Sequence, residues 1–163
     1  MTLYRLADLH LVYKLQEIMQ DNGFNSNQYR IIDGYPSDSD LLTSELWPTL
    51  TVETDLLYGR NIELGSGDWP AVQFSIDVFA KTDGQRDDIS YWIWESLNEN
   101  DYILYNFNEG FPSSIGDYSG ISSLGSWSVS SLTITNFTAP EDTILEGEKH
   151  HCMLNGIIFL PNL

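Results

Sequence analysis

His150-His151-Cys152 sets imidazole and thiol ligands side by side, and no other run in the chain does so. A closed zinc site takes four thiolate or imidazole ligands in a tetrahedron. On a strand, neighbouring side chains point to opposite faces, so His150 and Cys152 share a side that His151 does not. The one remaining histidine is His10, and no CxxC or HExxH spacing adds a ligand. Two ligands do not close a zinc site, so the histidines are expected to meet nearby acids and Cys152 to be an inert buried thiol. Asp87-Asp88 is the next candidate, a carboxylate pair of the kind that shares acid and base work. Adjacent helical residues splay by about 100°, and negative charge in a first turn already complements the helix dipole. Asp38-Ser39-Asp40 has the acids of a calcium loop without its glycine and closing glutamate. No GxSxG or SxxK nucleophile motif occurs. Gly65-Ser66-Gly67 leads into neither a lysine nor a helix start, as a phosphate cradle would. The expectation is therefore no catalytic set, no metal and no cofactor.

Few elements are needed to position these groups. In Ala71–Ala80, Val72, Phe74, Ile76 and Val78 point one way, while Gln73, Ser75 and Asp77 point the other, which predicts a half-buried strand. Thr82-Asp83-Gly84-Gln85 follows as a capping box, with Thr82 at the N-cap and Gln85 reaching back. Ile89, Trp92, Ile93 and Leu97 then recur at helical spacing, predicting a helix over 83–98. A first helix is predicted over 3–21, between an N-cap at Thr2 and a stop at Asn22-Gly23. Strands are predicted at Tyr29–Ile32, Thr49–Glu53, Asn61–Leu64, Tyr102–Phe107, Ser126–Phe137 and His150–Leu160. From Glu109 to Ser126 the chain holds four glycines and six serines, a long segment that reads as a loop ordered by a partner. Its anchors would be Phe111, Ile115, Tyr118 and Ile121. The order predicts an α+β fold: one domain over 1–163, with a mixed or largely antiparallel sheet packed against an N-terminal helix and a central helix.

Composition narrows the function. With 163 residues, 42 % of them hydrophobic and 21 aromatic (Trp 5, Tyr 9, Phe 7), the chain has enough for one packed core. The 24 acids against 7 bases give a net charge of −17, and Asp87–Glu148 holds eleven acids and no Lys or Arg. Such a surface does not grip nucleic acid through its phosphates, nor an anionic membrane. It serves solubility, or it is a wall that DNA passes without sticking. The Asp33–Glu45 segment, with Asp33, Asp38, Asp40 and Glu45 and no base, is the leading candidate for such a wall. The N-terminus lacks the basic start and apolar core of a signal peptide, and no run of about 18 apolar residues is present. A soluble protein of the cytoplasm, or of something assembled there, is expected.

The first helix carries two apolar stripes. Tyr4, Leu11, Leu15 and Ile18 share one face, and Leu6, Leu9 and Tyr13 lie roughly opposite. One stripe suffices to dock a helix on its own domain, so two stripes imply burial on both sides: either the second meets another subunit, or the helix is fully buried within its own domain. On the central helix, Tyr91 and Trp94 project away from the core side among acids. Large aromatics on an acidic face are what protein interfaces concentrate, so Tyr91 and Trp94 are expected at the subunit interface, the alternative being coverage by a neighbouring loop.

Glu63-Leu64-Gly65, Ile76-Asp77-Val78-Phe79-Ala80, Gln85, Gly110-Phe111-Pro112 and the closing strand His150–Leu160 together resemble the tail terminator (tail completion) proteins of tailed bacteriophages. The likeness runs through element order over about residues 1–160. It implies an α+β fold and a non-enzymatic ring protein, hexameric in that family, which caps the tail tube and joins it to the head connector. It further implies homo-oligomerisation, contacts with tail tube and neck proteins, and DNA passing through the lumen without specific binding. Such a protein resides in the virion neck and is assembled in the host cytoplasm. Head-completion and other tail-tube proteins share related folds. Two rival classes stand beside this one. A carbohydrate- or receptor-binding accessory domain would set Trp47, Trp69 or Trp94 on a groove, and a hydrolase would join His150 or His151 to an acid and a nucleophile in one pocket.

Overall fold

The computed structural model describes residues 1–34, 48–60, 69–98, 100–137 and 150–161. Helix α1 spans Leu3–Asp21 and helix α2 spans Asp83–Leu97. The strands are β1 (Arg30–Asp33), β2 (Thr49–Arg60), β3 (Trp69–Ala80), β4 (Asp101–Tyr105), β5 (Ser123–Phe137) and β6 (His150–Phe159). They form one curled, mixed sheet in the order β1-β2-β3-β6-β5-β4. Only the β1–β2 pairing is parallel among them. The expected α+β architecture is what the chain forms, with two helices against a mixed sheet among the described residues.

Both helices are closed by the caps their sequences contain. Thr2 Oγ1 accepts from the Arg5 N–H at 3.3 Å, and the Asn22 amide caps the far end on Ile18 O at 2.8 Å. At α2 the capping box is reciprocal: Thr82 Oγ1 accepts from Gln85 N–H at 3.1 Å, and Gln85 Oε1 accepts from Lys81 N–H at 2.9 Å. Helix dipole and ion pairing meet there too, since Arg86 reaches Asp83 at 2.9 Å and Asp87 at 2.8 Å. Asp87 therefore serves a buried arginine rather than a carboxylate pair with Asp88.

The core lies between the helices and one face of the sheet. Leu11, Leu15, Ile18 and Met19 of α1 and Ile89, Ile93 and Leu97 of α2 meet Leu50, Val52, Phe74, Ile76, Val78, Leu154 and Ile158. In β6 the alternation is regular, with Cys152, Leu154, Gly156 and Ile158 inward, and Leu160 just beyond it continues the pattern. Gly156 is required by packing: a Cβ there would meet the Phe74 ring at 2.8 Å and Leu132 at 3.2 Å. Near one end, β3 is also buried on its other face, where Asp77 and Phe79 are covered.

Three of the boundaries that differ from the sequence reading have a clear physical cause. β2 continues to Arg60, held against β3 well beyond Glu53. β5 begins at Ser123 because Ser123 and Gly125 pair with β4, so the Gly/Ser-rich segment ends in the sheet. β4 stops at Tyr105, and Phe107 sits in a turn closed by the Asn106–Glu109 bond. The strand expected at Asn61–Leu64 lies outside the described residues.

Candidate functional site

The second stripe of α1 is covered by its own chain. Leu6 is only 2 % exposed and belongs to the core, so the expectation that it faces another subunit is corrected. Leu9 and Tyr13 are half-buried against the same core. The cover is the segment after β4. Phe107 stacks on His10 with ring centroids 4.3 Å apart and lies 5.4 Å from Tyr13. Tyr118 stacks on Tyr105 at 4.2 Å and donates its hydroxyl hydrogen to Glu17 Oε1 at 2.6 Å. The amino group of Met1 donates to Asn108 Oδ1 at 2.6 Å.

His10 is the hinge pin of this contact, and the sequence did not single it out for that role. Its Nε2 accepts the Tyr105 N–H at 2.8 Å, which leaves Nδ1 as the protonated nitrogen donating to Leu6 O at 2.7 Å. Burial holds its pKa down at about 4, so the ring stays neutral near pH 7. Both nitrogens are spent on backbone, which removes His10 from acid–base work. A signal existed in principle: one histidine on a helix's apolar stripe, with aromatic residues waiting elsewhere in the chain.

Between α1, β4 and β5 this packing leaves an open groove of about 250 Å³. Tyr102, Tyr105, Tyr118 and Trp127 line it, with the Lys14–Glu17 ion pair (2.8 Å) on its rim. Lys14 also stands 4.5 Å above the Tyr102 ring, and the Tyr102 hydroxyl donates to Ser96 O.

The anchors assigned to the Gly/Ser-rich segment divide. Tyr118 and Ile121 pack on the chain's own core, Ile115 is half-buried, and Phe111 stands exposed beside Phe107. The segment follows a defined path fixed within the chain. Glu109 accepts from the Ser122 N–H and hydroxyl at 2.9 and 2.8 Å, and Asp117 accepts from Ser113 and Ser119. Those donors pull the Asp117 carboxyl down to about 2. Its ordering thus needs no partner for the contacts made by Tyr118 and Ile121, which corrects that expectation for these two.

The outer face of α2 carries what the sequence placed there. Tyr91 is 54 % exposed and Trp94 37 % exposed, while Trp92 turns inward against Phe24. Of the acids assigned to a channel wall, Asp38, Asp40 and Glu45 lie outside the described residues, as does Trp47. Asp33 ends β1, where Arg5 Nη1 bridges it at 2.6 Å to Asp8 at 2.5 Å. Asp8 is buried, its Oδ1 has no hydrogen-bond partner, and burial together with the neighbouring Asp33 charge raises its pKa to about 6. Beside it a polar groove of about 290 Å³ is lined by Tyr4, Asp33, Glu53, Thr54 and Asp55.

The histidines meet acids, as expected. His150 Nδ1 lies 2.9 Å from Asp83, and His151 Nε2 lies 2.5 Å from Asp77. His151 is sandwiched between Phe79 (4.3 Å) and Phe137 (4.6 Å). Thr51 donates to Asp77 at 3.5 Å, on the acid's side of the pair rather than the imidazole's. This arrangement ties β2, β3, β5 and β6 together across the second face of the sheet. Cys152 points to the other face, buried, its thiol pushed up to about 12 by desolvation. Among the described residues no three His, Cys, Asp or Glu gather where a metal ion would be held. None of the described helices is long and apolar enough to cross a membrane. A scan against protein-family models finds no match for this chain, and a search of curated proteins finds none either.

Proposed function

We propose that this chain is a structural protein of a bacteriophage neck. Copies of it form a ring, hexameric by the resemblance, that caps the tail tube and joins it to the head connector. DNA passes through the lumen without being bound, and no step of chemistry is assigned to the chain. The observation that carries this reading is the outer face of α2, where Tyr91 and Trp94 stand exposed on an acidic protein. Exposed large aromatics in such company serve contacts between proteins. The strand β3 running into the capped helix α2 supports it, because that stretch is where the resemblance is densest. The net charge of −17 supports a lumen that DNA slides past, since carboxylates within about 8 Å of the wall repel phosphate at physiological salt. A second reading, a carbohydrate- or receptor-binding accessory domain, draws on the aromatic groove of Tyr102, Tyr105, Tyr118 and Trp127.

The test is location. Electron microscopy of particles carrying a labelled copy of the chain should place the label as a ring at the head-proximal end of the tail. Tyr91→Ser/Trp94→Ser should give a folded protein that fails to enter particles. Label absent from particles, or a monomer that binds glycans through the aromatic groove, would remove the neck assignment.

A further inference from the structure

The sheet has a bare edge where a strand can be added. β4 covers β5 only over Ser123–Ser128, and an isolated bridge from Asn98 reaches Val129. Beyond that, among the described residues, β5 has a strand neighbour only on its β6 side. The bare stretch Thr133–Phe137 reads Thr-Ile-Thr-Asn-Phe, all exposed, with Ile134 41 % and Phe137 38 % open to solvent. Natural edges are protected by lysines, prolines or bulges, because unpaired N–H and C=O groups template further strands. Here the bulge at Ser131, with φ of +57°, comes before the stretch, and no charge or proline falls within it. In a chain of net charge −17, no charged residue occurs from Tyr118 to Pro140.

The register across the sheet identifies what this edge fits. Asn136 aligns through Cys152, Val78 and Leu50 with Ile31. Thr135 aligns through Met153, Asp77 and Thr51 with Ile32, and Ile134 through Leu154, Ile76 and Val52 with Asp33. The rows that end bare on β5 are therefore the rows that end on β1 at the opposite edge. Among the described residues, Ile31–Asp33 have a strand neighbour only on the β2 side. β1 runs parallel to β2, and β5 runs antiparallel to it through β6 and β3, so a copy set beside β5 presents β1 in antiparallel orientation.

We infer that β1 of a second copy of this chain adds to the outer edge of β5 along Ile134–Phe137, head to tail. The inference rests on the reading of the chain as a self-assembling ring. Two copies of an acidic chain repel one another, so their contact has to leave charge out. The β5 stretch does so, and on β1 the Asp33 carboxylate is already held by Arg5 at 2.6 Å. A basic partner would be drawn instead to the acidic surfaces. The two edges differ, so the contact is heterologous, and each addition continues a curled sheet in one sense, which is how such contacts close into rings.

The test uses the full chain over a range of concentrations, with mass measured by light scattering and amide exchange read in the same samples. Thr133→Lys/Thr135→Lys blocks the edge while lowering the net negative charge by two. Asp88→Lys, at an exposed position on α2, makes the same charge change elsewhere. Wild type and Asp88→Lys should associate, with exchange slowed at Thr133–Phe137 and at Ile31–Asp33. The edge variant should remain a folded monomer, its dissociation constant raised roughly tenfold or more. Association of the edge variant at wild-type strength overturns the inference and leaves the ring reading standing. Slowed exchange on β5 without β1 overturns the head-to-tail pairing. A wild type that stays monomeric at every concentration overturns the edge contact, while placement of the chain in particles decides the ring reading separately.

Discussion

Asp8→Asn removes a charge from a buried and incompletely paired position. The Asp8 side chain is 3 % exposed, one of its oxygens has no partner, and its pKa is raised from 3.8 to about 6. Burial is the larger cause, the Asp33 charge the next, and Arg5 offsets only part of both. An acid with a higher pKa in the fold holds its proton more tightly there than in the unfolded chain. Its contribution is therefore most favourable below about pH 4 and is lost as pH rises through about 6. A shift of about two units corresponds to about 3 kcal/mol. Asparagine keeps the shape and has no charge to bury. Arg5 retains Asp33, and its half-exposed contact with Asp8 is worth less than about 1 kcal/mol. Urea unfolding followed by tryptophan fluorescence should show the variant near wild type at pH 4. By pH 7 the variant should be the more stable by about 2 kcal/mol. Titration of the carboxylates away from the Asp8–Arg5–Asp33 cluster cancels in the difference between the two curves. A difference that does not change with pH, or one that grows towards acid, would refute the reasoning.

Other changes test the packing directly. Gly156→Ala puts a Cβ 2.8 Å from the Phe74 ring, so it should cost about 1–3 kcal/mol in denaturant unfolding although alanine restricts the unfolded chain more than glycine does. His10→Phe preserves stacking on Phe107 but orphans the Tyr105 N–H, and should cost about 1–3 kcal/mol at pH 7. Because the His10 pKa is lowered in the fold, wild type loses this advantage as pH falls from 6.5 towards 4. The variant should lack that loss.

What was legible in the sequence was local. The β3 alternation and the Thr82–Gln85 box specify a strand and a helix start within a dozen residues, and both formed where expected. Legibility failed where contacts join distant segments. Leu6, Leu9 and Tyr13 are a second stripe on α1 by any reading of period. Whether that stripe meets another subunit or the chain itself depends on Phe107 and Tyr118, about a hundred residues away. The same applies to His151, whose acid lies 74 positions earlier, and which turns a half-buried strand face into a closed one. Tyr91 and Trp94 were readable because exposure on a helix follows from 3.6-residue spacing alone. The bare edge of β5 was not, since it arises from β4 being five residues long against fifteen.

The position of α1 changes what a ring of this chain would be made from. A closed heterologous ring needs two different complementary surfaces on each copy. With Leu6 in the core, Leu9 packed against it and Tyr13 covered by Phe107, the second stripe of α1 offers neither. The edges Ile134–Phe137 and Ile31–Asp33 form such a pair, lying at opposite ends of the same rows. On the proposal made for them, Tyr91 and Trp94 are not required for one copy to meet the next. The outer face of α2 is then left for a protein of another kind, which for a neck ring is the tail tube or the connector. The two sets of variants should therefore separate. Edge lysines should abolish self-association in solution, whereas Tyr91→Ser/Trp94→Ser should leave it intact and block only entry into particles. If the α2 variant also fails to self-associate, α2 belongs to the contact between copies and this division of the surfaces is wrong.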